Sequence, residues 1–472
     1  MNFNTALFLF LFLPFFLILY FFAQPRWRPL IGVLASLLFY AWGSVPNLIG
    51  ILVLLLFNYW LGLQLETKPV KWALPLGLIV NVGSLAFYKY FVIYGLSQFP
   101  WLAQLLPERI NSWFGSLIFP LGLSYISFQL ISYLIDVQKG SVKAEKKLIP
   151  FAFYVLMFPK LLVGPIVRYR TLAEQLLEPT LDQHQIVDGI RRFLRGFAKK
   201  ILIADVLAKT INAVFSLPVN ASTPGVAWLG LLGYALQIYY DFSGYTDMAI
   251  GLAAMMGLRF IENFNYPYIA QSIGDFWRRW HISLSSWFRD YVFYPLERVR
   301  LPVIGQSLNI LVVFLLTGLW HGFGLSFVVW GLLHGFFIML ESLFLNRWLQ
   351  KAIRPVRHIY TLAVILFTWL IFRAPNLEFV FNFLRLLAGD NHSHVPSAFT
   401  DSSPLPFIEP SFVIAFVVGI LLAMPFLPTL QRQIEKSILL TIATDMLLFA
   451  LFMLAVGMMA SSIFLPGIYQ GF

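Results

Sequence analysis

Histidine is the side chain that most readily exchanges a proton near neutral pH, and the seven in this sequence are sorted by their neighbours. His321 closes the apolar run Leu311-Val-Val-Phe-Leu-Leu-Thr-Gly-Leu-Trp-His-Gly-Phe-Gly324. The glycines at 322 and 324 let backbone or ligand come close. An imidazole at a helix break inside an apolar segment can face a cavity. Burial disfavours its charged form, so the ring stays neutral and able to accept a proton. A catalytic base and a packed structural histidine both fit this pattern. His334 lies within an apolar span, where a packed, hydrogen-bonded ring is expected. His184 and His358 fall in polar segments and are expected to be inert. His392 and His394, in Asp390-Asn-His-Ser-His394, read as a solvated loop rather than a metal site.

Two further stretches concentrate polar groups. Gln237-Ile-Tyr-Tyr-Asp-Phe-Ser-Gly-Tyr-Thr-Asp247 ends one apolar run and begins another. Its Asp241, Ser243, Tyr245 and Asp247 suit a substrate site, or equally a half-buried turn held by hydrogen bonds. The acids also suit pairing with Arg278 or Arg279. In 276–300, at about 100° per residue, Trp277, Trp280, Leu284, Trp287 and Tyr291 form one stripe of a helix. Arg278, Arg279, Ser285, Ser286, Arg289 and Asp290 occupy the opposite face, with His281 on the border. Aromatic residues opposite arginines suit a helix lying at the membrane interface.

Other chemistries find no support. There is no cysteine, so disulfides, thiolate metal sites and a cysteine nucleophile are excluded. No G-x-S-x-G, H-E-x-x-H, P-loop or G-x-G-x-x-G occurs, which argues against a serine hydrolase, zinc protease, ATP-driven pump or nucleotide-binding enzyme.

The elements that must position these residues are membrane helices. Of the 472 residues 59% are hydrophobic and 12% charged, against about one quarter charged in soluble domains. The apolar runs are continuous and approach the roughly 20 residues a spanning helix needs. They fall at roughly 5–23, 29–43, 47–63, 73–93, 116–136, 201–217, 225–240, 306–320, 325–345, 359–373, 411–428 and 440–465. Two shorter pieces, about 150–166 and 242–257, read as re-entrant or partly buried. The first run lacks a basic leader and a cleavage site and is read as a retained helix. Placing the N-terminus outside puts most of the 33 Lys and Arg on the cytoplasmic side, Lys199 and Lys200 among them. That placement, rather than nucleic-acid binding, accounts for the net charge of +11. The expected fold is an all-α polytopic membrane protein of about 11–12 transmembrane helices with re-entrant and interfacial helices and both termini extracytoplasmic.

Several stretches together resemble the membrane-bound O-acyltransferase family, in particular its bacterial branch that acetylates alginate and transfers D-alanine to teichoic acids. They are Pro120-Leu-Gly-Leu-Ser-Tyr-Ile-Ser-Phe-Gln-Leu-Ile-Ser-Tyr-Leu-Ile-Asp136, Phe158-Pro-Lys-Leu-Leu-Val-Gly-Pro-Ile-Val-Arg168 and Gly196-Phe-Ala-Lys-Lys-Ile-Leu-Ile-Ala-Asp205. Tyr240-Asp-Phe-Ser-Gly-Tyr-Thr-Asp247, Asn263-Phe-Asn-Tyr-Pro267, Phe276-Trp-Arg-Arg-Trp-His-Ile-Ser-Leu-Ser-Ser-Trp-Phe-Arg-Asp-Tyr291 and Gly318-Leu-Trp-His-Gly322 follow in order. The resemblance covers about residues 1–375 and implies one integral membrane acyltransferase domain over 1–472. The 374–410 segment is then an extracytoplasmic loop and 411–472 divergent C-terminal helices.

The resemblance further implies helices in a ring around a central funnel, with His321 as the catalytic histidine and His281 as the second active-site position. Trp320, His281 or a backbone N–H near Gly322 would meet the oxyanion. Arg278, Arg279 and Arg289, with Ser285, would meet an anionic acyl thioester donor, acetyl-CoA or an acyl carrier protein, on the cytoplasmic side. Anionic lipid headgroups suit the same arginines. No permanently bound cofactor and no metal are expected. The implied activity is transfer of an acyl group, most simply acetyl, to hydroxyls of an extracytoplasmic polysaccharide, or to an extracytoplasmic acetyltransferase partner, in the bacterial cytoplasmic membrane. Passage through an acyl-enzyme on Ser243 or a tyrosine is an alternative route. D-Alanyl transfer from a carrier protein to teichoic acid is the alternative activity, and transport without covalent chemistry the alternative of another class.

Overall fold

The computed structural model describes residues 2–67, 70–92, 104–105, 107–109, 117–219, 222–299, 305–322, 324–390, 408–426, 430, 433–434 and 436–461. They form helices and connecting turns, with no strand among the described residues. A chain this apolar requires it, because in a bilayer each backbone N–H and C=O must be satisfied within its own segment. Five described helices are long and apolar enough to cross a membrane: Val45–Glu66, Ala73–Val92, Leu325–Lys351, Arg354–Arg373 and Ile438–Ala460. Four more, Phe8–Phe22, Leu148–Lys160, Gly305–His321 and Pro410–Leu422, are apolar but shorter.

The chain forms two compact units, Met1–Phe193 with Met248–Ile261, and Leu194–Asp247 with Glu262–Gly471. The first contains α1 (Leu13–Phe22), α2 (Arg28–Ala41), α3 (Val45–Thr67), α4 (Ala73–Ala86), α5 (Leu123–Gln138), α6 (Leu148–Leu156), α7 (Tyr169–Leu177) and most of α8 (Gln183–Ala198). Almost every residue of α5 is buried, polar ones included. After α6 the chain leaves the helical path through Phe158–Lys160, yet 157–167 stay buried. Irregular backbone shielded by protein is what the 150–166 stretch leads one to expect.

The second unit continues through the π-helical segment Lys199–Asp205 into α9 (Val206–Ser216) and the greater part of α10 (Pro224–Met255). It then holds α11 (Ile273–Arg279), α12 (Ile282–Phe288), α13 (Gly305–His321), α14 (Leu325–Leu340), α15 (Asn346–Lys351) and α16 (Arg354–Arg373). It ends with α17 (Leu377–Leu387), α18 (Pro410–Leu422) and α19 (Ile438–Ser461). The C-terminal helices are part of this unit: the Tyr240 hydroxyl donates to the Gly419 carbonyl at 2.6 Å, and Phe197 meets Phe452 at 5.2 Å.

Three expectations need correction here. The 242–257 stretch is buried, as one alternative had it, but not re-entrant: it is helical as far as Met255, and 237–247 is not a turn but lies inside the same 32-residue helix α10. Acids are tolerated mid-helix because each has a lysine partner, and Gly244 lets those lysines approach. A Cβ at 244 would stand 2.8 Å from the Gly196 carbonyl oxygen and 3.1 Å from the Lys200 nitrogen. The 276–300 stretch is not one helix, since it breaks between α11 and α12 at Trp280 and His281. Finally, the segment after 374 begins as a helix: Asn376 Oδ1 caps α17 by accepting from Phe379 N at 2.8 Å, and Val380, Phe383 and Leu386 are buried. Residues 391–407, with His392 and His394, lie outside the described residues.

Helices α13 and α14 cross through glycines. A Cβ on Gly318 would sit 2.4 Å from the Phe327 carbonyl oxygen, and one on Gly331 would sit 2.4 Å from that of Phe314. Small residues allow this backbone contact in membranes, where lipid offers no hydrophobic push between helices. His321 is three residues beyond Gly318, so the crossing sets its position. Gly331→Ala is therefore expected to destabilise by about 1–3 kcal/mol. It should also lower acyl transfer at least about tenfold per folded molecule, because misplacing a reacting group by about 1 Å costs on the order of 10²-fold. Activity normalised to the monodisperse fraction checks it; unchanged activity would show that the crossing does not position the ring.

Candidate active site

His321 is the last residue of α13 and is 4% exposed. Its ring packs edge-on against Trp320, Trp330 and Phe372, with centroids at 4.6, 5.0 and 5.1 Å. The Gly322 N–H donates to the Gly318 carbonyl at 3.3 Å. That bond continues the last turn of α13. On the next helix, His334 is fully buried, and its Nδ1 accepts from Trp277 Nε1–H at 3.2 Å. It is the packed, hydrogen-bonded histidine its position in an apolar run suggests.

His281 occupies the break between α11 and α12, with φ 45° and ψ 52°, a left-handed conformation unusual for a residue with a side chain. Such strain costs of order 1–3 kcal/mol and persists only where the surroundings fix it. Here the extended 263–265 segment runs alongside: Ile282 N donates to the Asn263 carbonyl at 3.0 Å, and Asn265 N to that of Arg279 at 2.9 Å. Trp280, 1% exposed, anchors the other side against Phe264, Phe276 and Trp369. The start of α11 is held by Glu341, whose carboxylate accepts from Ile273 N at 2.6 Å and Gly274 N at 2.9 Å. A carboxylate there also complements the helix dipole. This segment lies outside the five spanning helices. Burial pushes the His281 pKa down from 6.5 to about 3, so the ring is neutral at physiological pH. The indole of Trp320 links the two histidines, 6.3 Å from His281 and 4.6 Å from His321 between centroids.

A cavity of about 460 Å³ opens beside them. Arg278, Ser285 and Arg289 line it, followed by the apolar Ile310, Val313 and Phe314, and it reaches Thr317, one turn before His321. Ile282, the neighbour of His281, also lines it. The stripe predicted for 276–300 is buried throughout: Trp277, Trp280, Leu284, Trp287 and Tyr291 are each under 10% exposed. The Arg278 side chain is 72% exposed and that of Arg289 55%. Arg278 and Arg279 pair with Asp275, at 3.6 and 3.1 Å, not with the acids of α10.

Those acids have other partners. Lys200, 1% exposed, places Nζ 2.6 Å from Asp241 and 2.7 Å from Asp205. Lys199 meets Asp247 at 2.7 Å. Lys200 is thus buried and Lys199 half-buried, both within the helical Lys199–Asp205 segment. Tyr245 packs its ring 5.6 Å from the Lys200 ammonium, and Ser243 is buried beside Asp241 on the same helix. This is an ion-paired brace between α10 and the Lys199–Asp205 segment. Of the residues expected at a site, His281, His321 and Trp320 stand together, and Arg278, Ser285 and Arg289 line the adjoining cavity. The cavity stops short of His281, Trp320, His321 and Gly322, reaching only their neighbours Ile282 and Thr317, and Arg279, Asp241, Ser243, Tyr245 and Asp247 do not line it either.

Sequence reasoning missed Thr317, Asn263 and Glu341. For Glu341 a signal existed, since an acid inside an apolar run marks a function or a paired network. For Asn263, within Asn263-Phe-Asn-Tyr-Pro267, no local pattern marks a role.

The described helices define a multi-pass membrane protein with a buried histidine beside a cavity with a cationic rim. The chain belongs to the membrane-bound O-acyltransferase family, whose model matches residues 143–383, and is an O-acyltransferase. Every residue discussed at the site lies within the match. The chain is 41% identical over 385 residues to "Probable alginate O-acetylase AlgI" of Azotobacter vinelandii, covering 80% of this chain and 76% of that protein. It is 34% identical over 433 residues to the peptidoglycan O-acetyltransferase of Helicobacter pylori, covering 82% and 80%. Similarity to the teichoic acid D-alanyltransferase of Bacillus subtilis is 32% over 249 residues, covering 50% and 62%.

Proposed function

We propose that this O-acyltransferase moves a short acyl group, most simply acetyl, from a cytoplasmic thioester to hydroxyls of an extracytoplasmic polysaccharide, directly or through an extracytoplasmic acetyltransferase partner. The donor is acetyl-CoA or an acyl carrier protein, and the setting is the bacterial cytoplasmic membrane. The observation that carries this reading is the cavity between Arg278 and Thr317. Its cationic rim suits the phosphates of a thioester carrier, and its apolar body leads to the turn before His321. Similarity to two O-acetyltransferases over about four-fifths of the chain favours acetyl over D-alanyl, for which the match spans half.

The chemistry follows from the groups present. An acceptor hydroxyl is a poor nucleophile until its proton leaves. Neutral His321 takes that proton as the oxygen attacks the thioester carbonyl carbon. The carbonyl electrons move onto oxygen, and the Trp320 indole N–H is the donor suited to the resulting charge. The C=O bond then re-forms, the C–S bond breaks, and the thiolate leaves with the proton that His321 returns. General base catalysis of this kind contributes roughly 10²–10⁴-fold.

Arg278→Glu with Arg289→Glu is expected to raise the donor KM about tenfold or more at low salt while kcat changes little, since rim charges govern encounter more than chemistry. Initial rates with labelled acetyl-CoA check this; an unchanged KM would move the donor elsewhere. Mass spectrometry of envelope glycans with and without the gene tests the acceptor. Loss of O-acetyl esters supports the reading, and loss of D-alanyl esters from teichoic acid would replace it.

A further inference from the structure

The motif Asn263-Phe-Asn-Tyr-Pro267 has no part in the chemistry above, yet its first side chain reaches His281. Asn263 is fully buried, and three groups converge on its Oδ1: Ser283 N at 3.1 Å, Ser283 Oγ at 2.8 Å and His281 Nδ1 at 3.2 Å. The backbone N–H of Ser283 can only donate, so the amide is oriented with its oxygen toward this group. An oxygen accepts, so the histidine nitrogen facing it must carry the proton. Ser283 Oγ is 3.5 Å from the same nitrogen and is already committed to Asn263 at the shorter distance. The other ring nitrogen, Nε2, then bears a lone pair. It is buried and has no hydrogen-bond partner among the described residues. Around the ring stand Phe242, 4.7 Å away, and Trp320, 6.3 Å away, both uncharged. A buried acceptor with nothing to accept is costly unless a ligand supplies the proton.

We propose that Asn263 is a positioning residue that fixes His281 as its Nδ1–H tautomer, so that Nε2 presents a bare lone pair to a hydroxyl of the acceptor. This rests on the O-acyl transfer reading and deepens it. His281 is a hydrogen-bond acceptor for the incoming alcohol, holding its oxygen in line for attack while His321 removes the proton. It is not a donor to the oxyanion, because the nitrogen available to substrate has no hydrogen. The neighbouring His334 has the opposite assignment: its Nδ1 accepts from Trp277 Nε1–H, so it carries its proton on Nε2. Two buried histidines in one unit are thus set in opposite tautomers by neighbours that can only accept or only donate.

The test compares Asn263→Ala, Asn263→Asp and His321→Gln in the purified full-length protein in lipid nanodiscs, with acetyl-CoA as donor and an oligosaccharide as acceptor. Asn263→Ala removes the acceptor and should lower kcat about 10- to 100-fold with donor KM within twofold. Asn263→Asp keeps the acceptor and adds a negative charge that favours imidazolium. It should restore kcat at high pH, and its acid limb should move upward by about one pH unit or more, whereas the parent profile stays flat as far as His281 is concerned. If Asn263→Asp loses as much activity as Asn263→Ala with no displacement of the pH profile, Asn263 is a structural brace and the tautomer assignment is overturned. His321→Gln separates the two ideas. Full activity in that variant defeats the base mechanism, while the Asn263 pH profiles still decide how His281 is held.

Discussion

His321→Gln should reduce acyl transfer by about 10³-fold while the protein still inserts, purifies and binds donor. The magnitude is the mid-range of general base catalysis. Glutamine fills a similar space at the end of α13 and can pack against Trp320, Trp330 and Phe372, so the fold has no reason to fail. Its amide cannot take a proton from an alcohol, so kcat should fall while the donor KM holds. That pattern marks an interaction made only in the transition state. The control is His334→Gln, one helix away in the same aromatic set and bonded to Trp277 Nε1. It should lose less than about tenfold, because a packing histidine contributes no proton transfer. Radiolabelled acetyl transfer in nanodiscs distinguishes the two. If both variants retain activity within threefold, neither ring is the base; if both lose it equally, the effect is packing.

The contrast between these histidines shows how far the sequence can be read. His321 stood out because glycines follow it and the apolar run stops there, a local pattern that the helix end at 321 bears out. Most spanning helices were legible for the same reason: continuous apolar runs of sufficient length have few alternatives. What escaped depends on partners far along the chain. Asp241 looked like the end of a span because its counter-ion Lys200 lies 41 residues earlier and resembled a loop charge. The stripe through 276–300 picks out residues that are all buried but is silent about the left-handed turn at His281, since a helical period continues across one broken residue. The clamp on that turn comes from Asn263, 18 residues away. Helix α17 could have been found, because Asn376 is a good N-cap and Val380, Phe383 and Leu386 repeat at helical spacing. The Ser- and Pro-rich chain that follows it dominated the reading.

The brace predicts the largest loss of stability. Lys200→Met removes the ammonium that lies 2.6 Å from Asp241 and 2.7 Å from Asp205, with the lysine side chain 2% exposed. Two carboxylates are then left facing each other in the interior. Breaking a buried pair by deleting one partner typically costs about 3–5 kcal/mol, because the charge that compensated the remaining one is gone. Most of that cost belongs to the stranded charge rather than to the lost bond. Lys200→Met with Asp241→Asn and Asp205→Asn should therefore recover most of the stability, as neutral replacements of buried pairs are often harmless. Thermal unfolding in detergent should show the single variant melting many degrees lower and the triple variant near the parent. Activity then separates architecture from chemistry. If α10 only braces the unit, the triple variant regains transfer along with stability; if it regains stability alone, the charges of Asp241 and Lys200 take part in the reaction and the brace reading is wrong.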